Sequence, residues 1–304
     1  MQIFRHIPAT ASGPVALTIG NFDGIHCGHR AILDALRQKA QVRGLTPSVM
    51  TFEPHPREFF SPATAPSRLT SLREKLELFE ELGMERVYLL RFNHRFAAIS
   101  AQDFMQHILR TLDTRLILVG EDFRFGAARA GDVAGLRAAG FGVESVSTVE
   151  LDGQRISSTA VREALAAGEL AQAAALLGRA YSISGHVAHG DKLGRLLGYP
   201  TANIHMLHER PPLYGIYAVK LRGIDDEDLP GVASLGVRPT MKHNGRPTLE
   251  VHLFDFNRDI YGRHVRVQFL KKLRDEQKFP DLETLKRQIE ADERAARDYF
   301  KNEK

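Results

Sequence analysis

Residues 16–29, Ala16-Leu-Thr-Ile-Gly-Asn-Phe-Asp-Gly-Ile-His-Cys-Gly-His29, read as an apolar strand, a glycine-punctuated turn and the first turn of a helix. Val15, Leu17 and Ile19 begin the apolar run, Gly20 and Gly24 break it, and Ala31, Ile32, Ala35 and Leu36 recur at helical spacing. His26 and His29 stand three apart, a spacing that sets both imidazoles on one side of the helix start. Free backbone N–H groups and the positive end of the helix dipole favour a bound anion there, such as a phosphate. A bare His-x-Gly-His is a weak pattern in a chain with 13 histidines and 25 glycines. Its context gives it weight: Gly20, Phe22, Asp23 and Gly24 lie between a predicted strand and a predicted helix, where a phosphate-binding turn belongs.

Downstream, strand and helix patterns alternate. The spacing predicts a helix over 31–43 ending at Gly44, a strand over 48–52, a helix over 72–82 and a strand over 86–90. A helix over 101–112, a strand over 115–119, a helix over 132–139 and a strand over 142–149 continue the series. Short connections between such elements indicate a parallel sheet covered on both faces.

Three segments at the edges of these elements carry chemistry. In Glu53-Pro-His-Pro56 the two prolines are expected to exclude helix, giving either a rigid surface turn or an imidazole, His55, held at a strand's carboxyl end. In Gly120-Glu-Asp-Phe-Arg-Phe-Gly126, Asp122 is a hydrogen-bonding candidate, and Phe123 and Phe125 either stack on a flat ring or fill the core. In Ile156-Ser-Ser-Thr-Ala-Val-Arg162, the hydroxyls of Ser157, Ser158 and Thr159 either cap a helix or, with Arg162 one turn along, clamp a triphosphate.

After an alanine-rich helix over 169–179 the pattern changes to strands alone, which places a domain boundary near 182, with domains 1–182 and 183–304. Six strand-like runs at about 182–189, 200–205, 215–222, 230–237, 248–254 and 264–270 predict a small antiparallel barrel, and an amphipathic helix from Asp281 to about Phe300 closes the chain. Gly190, Gly194 and Gly198, spaced four apart with Lys192 and Arg195 between them, suit a cationic flap over phosphates, without the Gly-Lys-Ser/Thr ending of a Walker A loop. Thr201 and Asn203 share one face of the next strand and offer oxygens to a hard cation. In Thr248-Leu-Glu-Val-His-Leu-Phe254, Leu249, Val251 and Leu253 line one face, with Glu250 and His252 on the other. Glu250 is a solvated strand position or, if that face meets the flap, a base for a substrate hydroxyl.

At 304 residues, with 43% hydrophobic and 26% charged residues, the chain is long and apolar enough for two cored domains. A net charge of +4 fits phosphate-bearing ligands and makes no case for nucleic acid. Cys27, the only cysteine, excludes an intramolecular disulfide and any multi-cysteine zinc site. With no apolar run of membrane-span length and no signal-peptide pattern, the expectation is a cytoplasmic protein without a membrane partner. The sequence does not specify an oligomeric state.

Together these motifs resemble the bacterial bifunctional riboflavin kinase/FAD synthetases along nearly the whole chain. Gly20-x-Phe-Asp-Gly-x-His-x-Gly-His29 and Ile156-Ser-Ser-Thr-x-Val-Arg162 are similar to that family's adenylyltransferase signature pair, and Glu53-Pro-His-Pro56 and Gly120-x-Asp-Phe-x-Phe-Gly126 to its flavin-side loops. Pro200-Thr-Ala-Asn203 and Leu249-Glu-Val-His252 resemble its kinase signature, and Leu273-Arg-x-Glu-x-Lys-Phe279 its flavin-contacting terminal segment. The resemblance implies a Rossmann-like nucleotidyltransferase domain followed by a kinase barrel. It implies His26, His29 and Glu250 as catalytic, and Gly20, Phe22, Asp23, Gly28, Ser157, Ser158, Thr159 and Arg162 as the first ATP site, with His55, Asp122, Phe123 and Phe125 on the flavin side. For the barrel it implies Gly190, Lys192, Gly194, Gly198, Thr201 and Asn203 around ATP, Thr201 and Asn203 on Mg²⁺, and Arg274 and Glu276 on flavin. The substrates implied are riboflavin, FMN and ATP, and the products FMN and FAD.

Overall fold

Val15–Ile19 is a strand whose five residues are all buried, so both of its faces require an apolar cover. It is β2 of a sheet that also contains β1 (Gln2–Phe4), β3 (Thr46–Glu53), β4 (Arg86–Arg91), β5 (Thr114–Gly120) and β6 (Gly142–Val146). The strand order is β1-β4-β3-β2-β5-β6, and every pairing is parallel. On one face Leu17, Ile19, Met50, Leu90 and Ile117 join a core with Phe104, Leu109 and Leu136. On the other, Ala16, Val49, Val87, Leu116 and Leu118 pack with Leu33 and Leu36 of α1 (Cys27–Arg43) and with Leu78 and Phe79 of α2 (Leu72–Glu81). The expected parallel sheet with helices on both faces is present. The structure describes residues 1–190, 194, 198–237 and 247–302 of this computed structural model.

The chain order reverses at β2, with β3 on one side and β5 on the other. Such a switch point leaves a crevice outside the carboxyl ends of the two strands. Here these ends are Ile19-Gly20 and Val119-Gly120.

Local chemistry moves several boundaries. Helix α1 starts at Cys27, four residues before the expected start, because the His26 side chain serves as its N-cap; Gly44 ends it in the left-handed conformation at φ 63°. The expected exclusion of helix by Pro54 and Pro56 is corrected: Pro56–Phe60 is a short helix with His55 as N-cap. Proline at the first helical position loses only an N–H that has no partner inside the helix. The expected helix over 101–112 is α-helical only at Ala101–Asp103 and continues as a π-helix over Phe104–Leu109. Wider π turns bring Phe104 and Leu109, five apart, into one core. Strand β1, three residues long and too short for a periodicity to show in the sequence, adds to the edge at β4.

The chain divides into two units, Met1–Pro66 with Leu72–Ser157, and Ser67–Ser71 with Ser158–Lys304. In the second, helices α3 (Ser158–Ala167) and α4 (Leu170–Leu177) precede six strands: β7 (Tyr181–Ala188), β8 (Ala202–Met206), β9 (Gly215–Arg222), β10 (Leu229–Val237), β11 (Pro247–Leu253) and β12 (His264–Arg274). These form the expected barrel, closed in the order β7-β8-β11-β10-β9-β12 with antiparallel pairings throughout. The switch from helix to strand falls at Tyr181, next to the expected boundary at 182, while the unit itself begins at Ser158 because α4 packs on β7 and β12.

Buried positions alternate along β11, as in Leu249, Val251 and Leu253, whereas β9 is buried on both faces over residues 215–219. Tyr217 and Phe269 meet edge to face at the centre, with ring centroids 5.3 Å apart, and the Tyr217 hydroxyl donates to the Tyr214 carbonyl at 2.7 Å. Burial raises the Tyr217 phenol well above its ordinary range. The terminal helix α5 (Leu282–Asn302) lies on the wall through Ala296, against Phe254 and Ala218.

Phe269 is 1% exposed, and emptying its site removes both transfer energy and packing. Phe269→Ala is expected to cost about 3–5 kcal/mol in urea unfolding; a loss under about 1 kcal/mol would show that the barrel core closes without this ring.

Candidate active sites

The crevice at the switch point is a cleft of about 390 Å³ bordered by Gly20, Phe22, His26, Gly28, His29, Gly120, Asp122, Phe123, Arg155 and Ser157. The turn entering it is tightly constrained. Phe22 and Ile25 hold positive φ values of 50° and 40°, a costly conformation for side chains of this size. Both side chains are buried, Phe22 edge-on to Phe79 at 5.5 Å, and this packing supports the strained turn.

His26 Nδ1 accepts from the His29 backbone N–H at 3.3 Å. A neutral His26 therefore carries its proton on Nε2. The two imidazoles are stacked, with centroids 3.7 Å apart and planes 17° from parallel. Burial is the main reason the His29 pKa lies well below its ordinary value, reinforced by His26 and by the charge of Lys75. His29 Nδ1 is buried without a hydrogen-bond partner among the described residues. A Cβ at Gly28 would come within 3.2 Å of the His26 ring, so glycine keeps that imidazole in place. Asp23 is buried in the same turn.

Asp122 is paired with Arg155 at 2.8 Å, and that hydrogen bond is the main cause of its lowered pKa. Arg155 was not singled out in the sequence; its position immediately before Ile156-Ser-Ser-Thr was the available signal. The flavin-side expectations divide. Asp122 and Phe123 border the cleft, whereas Phe125 is 7% exposed and belongs to the core, stacked on Phe123 at 5.7 Å. His55 does not border the cleft: its Nδ1 accepts from Arg57 N at 3.1 Å and its own N–H donates to Glu58 at 3.2 Å, a capping box.

Ser158, Thr159 and Arg162 belong to the second unit. Ser158 begins α3, Thr159 is exposed, and Arg162 Nε donates to the Ser67 carbonyl at 2.6 Å.

On the barrel, register explains which side chains meet. Asn203 lies opposite Glu250, and Glu250 opposite Ser234, so the three share the outer face of β8, β11 and β10. Thr201 Oγ1 donates to Glu250 Oε2 at 3.4 Å. Both border a cavity of about 370 Å³ together with Gly194, Tyr199, Ser234, Arg274, Glu276 and Phe279. Thr201 also borders a second cavity of about 270 Å³, with Pro200, Phe256, Asn257, Ile260 and Tyr261. That second lining went unread in the sequence, because Phe256 to Tyr261 form a loop with neither periodicity nor motif. Asn203 borders neither cavity; a Cβ at Gly190 would collide with its amide. Gly198 sits at φ 88°, and Lys192 and Arg195 lie outside the described residues.

Arg274 is held by Asp292, with Nε to Oδ1 at 2.9 Å and a terminal nitrogen to Oδ2 at 2.7 Å. Gln288 donates to the same carboxylate at 2.9 Å. Burial raises the Glu276 pKa, against the opposing pull of the Val237 N–H and Arg274. A Cβ at Gly236 would overlap the Glu276 carboxylate, so only glycine allows this approach. Arg274 and Glu276, expected together from the terminal segment, do line one cavity with Thr201 and Glu250.

Fold and sites define a two-domain protein with one cleft at the switch point of a parallel sheet and a second set of cavities on a closed barrel. The family model for FAD synthetase matches residues 9–160 and that for riboflavin kinase residues 177–300. The chain is 48% identical over 308 residues to the bifunctional riboflavin kinase/FMN adenylyltransferase of Escherichia coli, covering 99% of this chain and 98% of that one. It is 50% identical to the protein of the same name from Pseudomonas fluorescens, over 92% and 91% of the two chains. It belongs to the bifunctional riboflavin kinase/FMN adenylyltransferase family. A solved structure from Streptococcus pneumoniae, described as a macrolide-efflux protein, is 31% identical with a TM-score of 0.83, over 98% of this chain and 99% of that one. No helix among the described residues is long and apolar enough to cross a membrane.

The lowered His29 pKa has a consequence for stability. Between its folded value and the ordinary value near 6.5 the unfolded chain binds more protons, so this contribution is full above about pH 6.5 and is lost as pH falls through the folded value. His29→Asn is expected to flatten the decline of Tm below pH 6.5; an unchanged slope would mean that another group controls it.

Proposed function

We propose that the barrel domain, residues 183–304, phosphorylates riboflavin to FMN, and that the domain over 1–182 adenylylates FMN to FAD. In the first step the ribityl 5′-hydroxyl attacks the γ-phosphorus of ATP, releasing ADP. In the second the FMN phosphate attacks the α-phosphorus of another ATP, releasing pyrophosphate. Family membership supports both activities. The observation that carries the kinase assignment is Thr201, hydrogen-bonded to Glu250 and bordering two cavities at once.

In this reading flavin occupies the larger cavity against Arg274 and Glu276, and ATP the neighbouring one, with Gly190, Gly194 and Gly198 assigned to its phosphates; Lys192, expected with them, lies outside the described residues. Glu250 takes the proton of the attacking hydroxyl. Thr201, Asn203 and Glu250 offer hard oxygen donors suited to Mg²⁺, and no group of three His, Cys, Asp or Glu is placed to hold a metal among the described residues. That fits an ion bound chiefly through nucleotide phosphates and water. When bound, Mg²⁺ would neutralise charge on the transferring phosphoryl group.

In the switch-point cleft, His29, whose lowered pKa favours its neutral form, and His26 stabilise charge developing on the phosphates as hydrogen-bond donors, beside Gly20, Phe22, Asp23 and Gly28. Ser157, which borders this cleft, meets the triphosphate, a role that the family resemblance also gives to Ser158, Thr159 and Arg162. Asp122 and Phe123 border the cleft on the flavin side, while His55 caps a helix and Phe125 sits in the core behind Phe123. The partners are small molecules, without nucleic acid or membrane, and the setting is the cytoplasm.

Purified protein given riboflavin, ATP and Mg²⁺ is expected to yield FMN and FAD on chromatography; absence of both would overturn the proposal. Glu250→Ala is expected to abolish FMN formation while still converting supplied FMN to FAD, and His29→Ala to do the reverse. Loss of both steps in either folded variant would overturn the assignment of one site to each domain.

A further inference from the structure

Glu250 and His252 alternate on the outer face of β11, and the proposed chemistry uses only the first. The ladder between β8 and β11 stops at Ala202 opposite Val251. Continued, the register would set Thr201 opposite His252 and then Pro200 opposite Leu253, where proline has no N–H to offer the pairing. Side chains take over at that point. Thr201 Oγ1 donates to Glu250, and His252 Nδ1 lies 2.9 Å from the Pro200 carbonyl oxygen. A carbonyl only accepts, so Nδ1 carries the proton and His252 is the donor.

The imidazole is braced on both sides, edge-on to Tyr199 at 5.3 Å and to Phe254 at 6.3 Å. Tyr199 N in turn donates to the Gly194 carbonyl at 2.8 Å. One side chain thus ties down the short segment that carries Thr201 and joins it to the glycine-rich stretch. The next position on the same face of the strand holds Glu250.

We propose that His252 is a positioning residue for phosphoryl transfer: its bond to the Pro200 carbonyl fixes Thr201 against Glu250, and it exchanges no proton with substrate. This rests on the kinase reading above. Catalysis of phosphoryl transfer depends mainly on placement and charge, and a displacement of about 1 Å costs on the order of 100-fold in rate.

The test is steady-state FMN formation by the full chain as wild type, His252→Ala and His252→Asn, with riboflavin affinity measured by fluorescence quenching and folding by circular dichroism. His252 borders the larger cavity, but its Nδ1 is engaged with the Pro200 carbonyl, so His252→Ala is expected to lower kcat on the order of 100-fold while leaving riboflavin affinity within about twofold. The Asn amide N–H can replace the Nδ1 donor, so His252→Asn is expected to recover most of kcat with the wild-type pH profile. Three outcomes overturn the proposal: kcat of His252→Ala within about twofold of wild type, a folded Asn variant no better than Ala, or loss of riboflavin affinity in both. If His252→Ala does not fold, the Asn variant decides: recovery supports the carbonyl bond, and inactivity with normal folding rejects it. Wild type that makes no FMN would instead sink the kinase reading itself.

Discussion

The N-terminal domain depends on one constraint, a central strand with no solvated face. Val15 to Ile19 are all buried, so apolar layers must form above and below, and the following residues can only emerge at the end of the sheet. The sheet order reverses at this strand, which puts the emerging turn at the crevice. The turn then holds Phe22 and Ile25 in left-handed backbone conformations. Burial of those two side chains is what lets a costly turn deliver His26 as a helix cap and His29 as its stacked neighbour.

The barrel solves a different problem with a period of two. Inward residues fill the core, and the outward residues that the terminal helix leaves uncovered are available for a site. Cross-strand register then does what sequence proximity cannot: Asn203, Glu250 and Ser234 come from three strands yet form one row. The terminal helix completes the wall, because Asp292 on that helix holds Arg274 at the end of the last strand.

What could be read from sequence follows from the range of the forces involved. Apolar periodicity located the longer helices, five of the six strands of the parallel sheet and all six barrel strands, since each pattern is local. His26 and His29 were legible because three residues on a helix start make neighbours. The core position of Phe125 and the cap made by His55 carry no such local signal, since a phenylalanine at a strand end suits a core as well as a ligand, and a histidine before proline serves as a cap. Pro56 read as a helix breaker, yet a first-turn proline is compatible with helix. The tie from His252 to Pro200 crosses 52 positions, a separation at which no local pattern signals a contact.

Thr201 lies in the walls of both barrel cavities. A wall held in common makes the two occupancies thermodynamically linked. Whatever factor one ligand applies to the affinity of the other by moving Thr201, the second must apply to the first. The order in which the cavities fill can therefore change rates, while the free energy of the doubly filled state is the same by either route.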